Sequence, residues 1–288
     1  MPDLRLFNYR ISDITAKQIE EGIDVNGENI PPVFEFNDFF ATNTKGEFKR
    51  KADVWRFLNT LTDNEGYPFS TPELREELKH TFWFVGNRVS SAKAMEKLLK
   101  KHPVFENYKI VLAAGDGRSL EDEGSEEEAG DFKKNEKALA RVKKAIKEND
   151  KTITLSVGQL TTGVTIKEWS AVLMLSDVKQ ETFYTQAIFR AQNPYKYEKD
   201  GQLYRKKSAY VFDFSPYRVL EIYDKLANSL IEKGAIGNLT EVDRKDNVAE
   251  LLNFFPVIAQ DEHGKMIELD ASELLTLPAT KITSDTRV

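Results

Sequence analysis

The stretch "TFYTQAIFRAQNPY" carries one arginine, Arg190, four residues after Gln186 in an otherwise apolar and amide-rich run. On a helix, residues four apart share a face, so these two side chains point the same way while Phe183 and Ile188 can turn toward a core. That is a layout for gripping something outside the helix. A plainer reading has Arg190 capping a core helix or pairing with an acid. A second group is the loop "GQLTTGV". There Gly158 and Gly163 permit tight turns and close approach of a ligand, and Thr161 and Thr162 offer hydroxyls and amides to phosphate oxygens. Two glycines and two threonines are also ordinary in a connection.

Two further groups imitate metal chemistry. Asp38 with Glu47 and Lys49 has the spacing, acid then acid-x-lysine, of a magnesium-dependent nuclease, which uses metal to generate hydroxide and polarise a phosphate. In a chain with 31% charged residues such loose spacing arises easily by chance. Asp261, Glu262 and His263 follow the apolar run "PVIAQ" like the magnesium-holding acids of nucleotide-driven motors, but "EHG" reads better as a hairpin turn. The three histidines, His80, His102 and His263, have no ligand-like spacing, and there is no cysteine. Thiolate metal sites, thiol nucleophiles and disulfides are therefore excluded, and no metal site is expected.

These groups need elements to position them. Runs rich in β-branched and aromatic residues recur as "LRLFNYRI", "TFWFVG", "YKIVLAAG", "TITLSVG", "AVLMLSD" and "SAYVFDF". Several are apolar throughout, as strands buried on both faces should be. Between them lie runs with apolar residues three and four apart: "SSAKAMEKLLKKH", "FKKNEKALARVKKAIKEN", "QETFYTQAIFRA" and "PYRVLEIYDKLANSLIEKG". The alternation predicts an α/β fold, a parallel sheet with helices on both faces. Ligands bind such sheets at the carboxyl ends of the strands, so the "GQLTTGV" loop and the start of the Gln186 helix should face one crevice.

Residues 24–72 break the alternation and read as an inserted, loop-rich piece with a helix, packed on the sheet. Residues 118–131 hold seven acids and read as an acidic loop. Formal net charge is -6, and without those seven acids the rest of the chain is at +1, so the overall sign says little about any one face. Residues 1–236 are expected to form one domain, with 237–288 a helical and hairpin extension. The basic run Lys133, Lys134, Lys137, Arg141, Lys143, Lys144 and Lys147 reads as a solvated helix face, with a backbone-tracking patch as the sharper alternative. Trp55, Trp83 and Trp169 read as core anchors. No apolar run is long enough to cross a bilayer and the start lacks a signal peptide's apolar core, so a cytoplasmic protein is expected.

The order "TFWFVGNRVSSAKAMEKLL", "TITLSVGQLTTGVTI", "AVLMLSD", "QAIFRAQNP" resembles motifs IV, V and VI of the second RecA-like domain of superfamily 2 helicases and translocases, closest to the motors of type I and type III restriction enzymes. The resemblance runs from about Thr81 to Ser215. It implies a DNA-binding, ATP-hydrolysing translocase of a restriction-modification system, with ATP and Mg2+ as cofactors. Arg190 would then be the arginine finger and Gln186 would orient nucleotide or water. Gly163 and Thr165 would lie by the nucleotide, and Thr161 and Thr162 would link it to the nucleic-acid backbone. Asn87, Arg88 and Ser90 would touch that backbone near a helix start.

The chain departs from the family pattern at Asn193, where a second arginine is usual, and at Thr165, where aspartate is usual. No GxxxxGK[ST] run occurs, so no cradle for the β- and γ-phosphates is present. The resemblance therefore implies half of a motor, inactive alone, whose partners are DNA, a first RecA-like domain, and methyltransferase or specificity subunits. A catalytically silent RecA-like module that binds DNA or a partner is the alternative, with the Asp38, Glu47, Lys49 nuclease a weaker one.

Overall fold

Alternation of side chains about β-strands puts two cores on two sides of one sheet. In the computed structural model the described residues are 1–9, 23–25, 28–30, 35–113, 128–158, 160, 164–178, 180–199, 201–215, 218–219, 222–223, 225, 241–260 and 265–276. Strand β1 (Asp3–Asn8) is followed by an antiparallel pair, β2 (Ile23–Val25) and β3 (Glu28–Ile30), and by helices α1 (Phe36–Phe39), α2 (Lys51–Asp63) and α3 (Pro72–Glu77). Next come β4 (His80–Val85), α4 (Val89–Leu99), β5 (Lys109–Leu112), α5 (Glu128–Glu148), β6 (Thr152–Ser156), β7 (Ala171–Leu175) and α6 (Glu181–Ile188). A 3-10 turn, Phe189–Gln192, continues α6. The hairpin β8 (Lys196–Lys199) and β9 (Gln202–Arg205) precedes β10 (Ser208–Asp213), and α7 (Glu241–Phe254), β11 (Val257–Gln260), β12 (Met266–Glu268) and α8 (Ala271–Thr276) close the described chain.

Eight strands form one sheet in the order β12-β11-β1-β10-β7-β4-β6-β5, and only β12 is antiparallel to its neighbour. The six runs read as strands from the sequence all lie in it. β4, β6 and β7 are buried along almost their whole length, which is why their sequences are apolar on both faces. Phe82, Phe84, Val172 and Met174 face one core with Ala138 and Val142 of α5, Tyr184 and Ile188 of α6, and Val248 of α7. Trp83, Val85, Leu173 and Leu175 face the other, with Phe36, Phe40, Phe57 and Leu61 of the inserted segment and Met95 of α4. Of the segment 24–72, residues from Phe36 on pack against the sheet, and they hold more regular structure than a loop-rich piece, since α2 alone runs for 13 residues.

Two expectations change in detail. Helix α5 begins at Glu128, so the last part of the stretch read as an acidic loop is helical, and residues 118–127 lie outside the described residues. The C-terminal hairpin is built into the sheet through β11, which pairs with β1 in parallel, Leu6 opposite Val257. Trp83 and Trp169 are fully buried, while Trp55 is half-buried against His102, ring centroids 5.2 Å apart.

The carboxyl ends of β7 and β10 are locked by a buried ion pair. Asp213, the last residue of β10, accepts from Arg218 Nε at 3.0 Å and Nη2 at 2.7 Å, from Tyr184 Oη at 2.8 Å and from the Ser215 amide at 2.9 Å. Arg218 also donates to the carbonyls of Ser176 and of Met174, the latter at 3.3 Å. Its guanidinium carbon lies 5.5 Å from the Phe36 ring centre and 5.8 Å from that of Tyr184. Burial opposes the charge on Arg218, and Asp213 more than offsets it, raising the pKa. Arg218→Met leaves a buried carboxylate without its cation and should lower stability in urea unfolding by about 3–5 kcal/mol, whereas Arg218→Met with Asp213→Leu should recover much of that loss.

His80 joins β4 to β6, its Nδ1 3.0 Å from Thr152 Oγ1, and burial pulls its pKa down to about 4. Between pH 6.5 and 4 the unfolded chain therefore binds the proton that the folded chain refuses. The resulting stability is fully present above pH 6.5 and is lost as pH falls toward 4, by about 2 kcal/mol at pH 5. Thermal melts of His80→Gln at pH 7 and pH 5 should show that much less acid sensitivity than the unaltered chain.

Candidate functional site

Helix α6 leaves the carboxyl end of β7 and runs back along the sheet, so its two ends reach opposite edges. Its start follows Ser176 and Asp177 at the carboxyl rim, as expected. Its far end does not stay there: Gln192 Nε2 donates to the carbonyl of Pro2, next to the first residue of β1, at 3.2 Å. Arg190, in the 3-10 turn, is carried toward this amino-terminal edge and is half-buried. Its Nη1 donates to the carbonyl of Val164, and burial lowers its pKa. Arg190 thus rests against Val164, the last residue of the "GQLTTGV" loop. Gln186, one turn earlier, is exposed, and so is Thr165.

The backbone around Arg190 is pinned on both sides. Asn193 Nδ2 donates to the Arg190 carbonyl at 2.9 Å, so the residue standing where the family motif has a second arginine closes the turn that carries the first. Lys206 Nζ donates to three carbonyls at 2.8 Å each: Ala191, Trp169 and Lys167. Burial draws the Lys206 pKa down to about 8, while three acceptors, one for each ammonium hydrogen, favour the charged form. Lys206 and Arg218 were both missed in the sequence, where a lone cation has nothing to distinguish it from a solvated one.

Thr161, Thr162 and Gly163 lie outside the described residues. On their near side Leu160 has a left-handed backbone, φ 64°, with its side chain in the core. A branched residue holds that conformation only when its packing outweighs a cost of roughly 1–2 kcal/mol, so apolar burial fixes this side of the loop.

The motif IV residues gather at the carboxyl rim, away from Arg190. Arg88 is exposed and precedes α4, and Asn87 is half-buried. Ser90 Oγ lies 2.8 Å from Thr42 Oγ1 of the inserted segment, and Ser91 Oγ donates to the Phe40 carbonyl at 2.7 Å. Gly86, φ 59°, has no room for a side chain without pressing on Ser91, 3.2 Å from where a Cβ would stand. Above β7 the rim is covered by α1, because the Asp177 carboxylate accepts the amides of Phe36 at 3.0 Å and Asn37 at 2.7 Å. Among the described residues α1 of the insertion therefore lies over the carboxyl end of β7, and most of the loop expected to share a crevice with the start of α6 lies outside the described residues.

Among the described residues no three His, Asp or Glu side chains are grouped to hold a metal ion. Asp38 is ion-paired with Arg50 at 3.4 Å and Glu47 with Lys51 at 4.0 Å, which sets cations against both acids of the nuclease reading. Asp261, Glu262 and His263 lie outside the described residues, between the paired strands β11 and β12. On α5, Lys137, Arg141, Lys143, Lys144 and Lys147 are exposed, with Lys144 3.9 Å from Glu148; Lys133 and Lys134 lie in the part of the helix whose side chains are not described. No helix among the described residues is long and apolar enough to cross a membrane.

Lys206→Met removes the ammonium and leaves three carbonyls without their donor. Chemical denaturation should show a loss of about 2–3 kcal/mol, and proteolysis near Ala191 should quicken, while Lys207→Met should change neither.

No family model matches the chain. In sequence it is similar to the C-terminal part of a Mycoplasma pneumoniae protein described as a "putative type II restriction enzyme and methyltransferase", 32% identical over 241 residues. The match takes in 77% of this chain and 31% of that protein, so the chain spans about a third of its curated relative. Among solved structures, a fragment of a "putative HsdR subunit of a type I restriction enzyme" from Vibrio vulnificus is 13% identical, covering 92% of this chain and 38% of the other, with a TM-score of 0.38. The ATP-dependent type ISP restriction-modification enzyme LlaBIII bound to DNA is 14% identical, covering 92% and 16%, at a TM-score of 0.33. The C-terminal part of the Fun30 ATPase domain is 12% identical, covering 74% and 57%, also at 0.33. In sequence the chain is thus similar to part of a protein described as a restriction enzyme and methyltransferase, and its own fold is an eight-stranded, mostly parallel α/β sheet.

Proposed function

We propose that this chain is the second motor domain of an ATP-dependent DNA translocase of a restriction-modification system, and that Arg190 is its contribution to phosphoryl transfer. The observation that carries the reading is the fixing of the Arg190 segment from three directions, by Lys206, Gln192 and Asn193. A group that must meet charge developing on a phosphoryl oxygen gains from being placed beforehand. Similarity in sequence to a restriction-modification protein supports the same reading.

The residues fit a nucleotide held from one side only. No phosphate-binding loop occurs in the 288 residues, so the cradle for the phosphates belongs to a first RecA-like domain. ATP with Mg2+, bound there, supplies the phosphoryl group that is transferred. Arg190 neutralises the charge that builds on that group, its planar fork suiting the oxygens better than an ammonium. Gln186, exposed one turn away, orients the nucleotide or the attacking water, with Gly163 and Thr165 as further nucleotide-binding residues. Asn87, Arg88, Ser90, Thr161 and Thr162 meet the DNA backbone. The partners are then DNA, the first RecA-like domain, and a methyltransferase or specificity module, in the cytoplasm.

Asn193 and Thr165 favour a second reading, a RecA-like module that binds DNA or a partner without turnover, since both replace residues that such motors use. Arg190→Ala in the parent protein, with its first motor domain present, separates the two. DNA-stimulated ATP hydrolysis should fall roughly a thousandfold or more with DNA binding kept, and Arg190→Lys should restore little of it. An unaltered rate would remove the arginine-finger role and leave the silent module.

A further inference from the structure

The hairpin β8–β9, which no part of the motor reading uses, exposes flat aromatic faces among cations. Tyr197 and Tyr204 stand directly opposite each other across the two strands, their rings stacked with centroids 5.7 Å apart at 17°. Tyr195 continues the stack, 5.7 Å from Tyr197 at 22°. Tyr197 and Tyr204 are each 40% exposed, and Leu203 is 73% exposed. Tyr197 and Tyr204 thus stay partly in water, forgoing some of the burial that usually holds tyrosines in place, while Tyr195 is half-buried.

The charge pattern is as unusual as the aromatic one. Residues 194–207 carry Lys196, Lys199, Arg205, Lys206 and Lys207 against Glu198 and Asp200, a basic segment in a chain whose net charge is -6. Lys196 and Arg205 are directly opposite across the hairpin, a like-charge pairing that weakens a sheet unless an anion lies near. Between the hairpin and the start of β1 lies an open cavity of about 320 Å3, bordered by Tyr195, by the cations Lys196, Arg205, Lys206 and Lys207, and by one acid, Asp3.

Rings with free faces bind the flat faces of unpaired bases whatever their sequence, and a row of cations beside them tracks the phosphates. We infer that this hairpin is a second nucleic-acid site, for an unpaired strand, whose bases stack on Tyr195, Tyr197 and Tyr204 and whose phosphates meet Lys196, Arg205 and Lys207. It lies at the amino-terminal edge of the sheet, the edge opposite Asn87, Arg88 and Ser90. The site needs no nucleotide and does not depend on the motor reading.

The test uses the chain itself and a fluorescein-labelled oligo(dT) followed by anisotropy, without ATP. Tyr197→Ala and Tyr204→Ala should each weaken binding roughly five- to a hundredfold, and Tyr197→Phe, which keeps the ring, should not. Lys196→Ala with Arg205→Ala should weaken binding and flatten its dependence on salt, whereas Lys143→Ala with Lys147→Ala, which takes the same charge from α5, should do neither. Circular dichroism shows whether each variant keeps its fold. Folded tyrosine variants that bind as tightly as the unaltered chain would overturn the inference, as would loss of binding only in the α5 variant. So would sedimentation showing that Tyr197→Ala converts a dimer to a monomer, which would give this face to a second copy of the chain.

Discussion

A charge buried where three parts of the chain meet sets the layout at the centre of the sheet. Arg218 and Asp213 are 7% and 0% exposed at the side chain, so each must find in the other what water would have given it. The geometry does most of this: a two-pronged contact, two backbone carbonyls for two of the three other guanidinium hydrogens, and a tyrosine and an amide for the carboxylate. Through those groups the pair holds the end of β10 to the end of β7, α6 to both, and Phe36 of the insertion above them. A hydrophobic substitute could hold the same volume, but it would not specify which strand ends stand side by side.

At the other edge Lys206 plays a comparable part with carbonyls alone. It ties the residue after Arg190 to the turn that enters β7, and it does so from the strand connection that also carries the hairpin β8–β9. α6 therefore spans the sheet between two cationic anchors, one at each end.

The sheet was legible in the sequence because its strands are buried on both faces, so that "TFWFVG", "TITLSVG" and "AVLMLSD" could be little else. The two small hairpins were not read, although Asn26-Gly27 and Asp200-Gly201 are the dipeptides that favour tight turns and Gly201 has the left-handed backbone, φ 74°, such turns demand. Sheet-edge rules place only the start of a helix, so they say nothing of Arg190, which follows the end of α6 and rests against Val164. Arg218 and Lys206 were illegible because burial of a cation depends on partners far along the chain. Only coordinates bring Arg218 to the carbonyl of Ser176 and Lys206 to that of Lys167.

The place of β1 in the strand order has an effect on how the molecule can be made. Leu4 sits opposite Ala209 and Leu6 opposite Val257, so β1 waits for most of the residues that follow it before either flank is covered. During that interval its alternating apolar residues are an unclaimed template, open to any extended segment that passes. Synthesis order and assembly order are opposed here, and β11 is the piece that finally shuts the door.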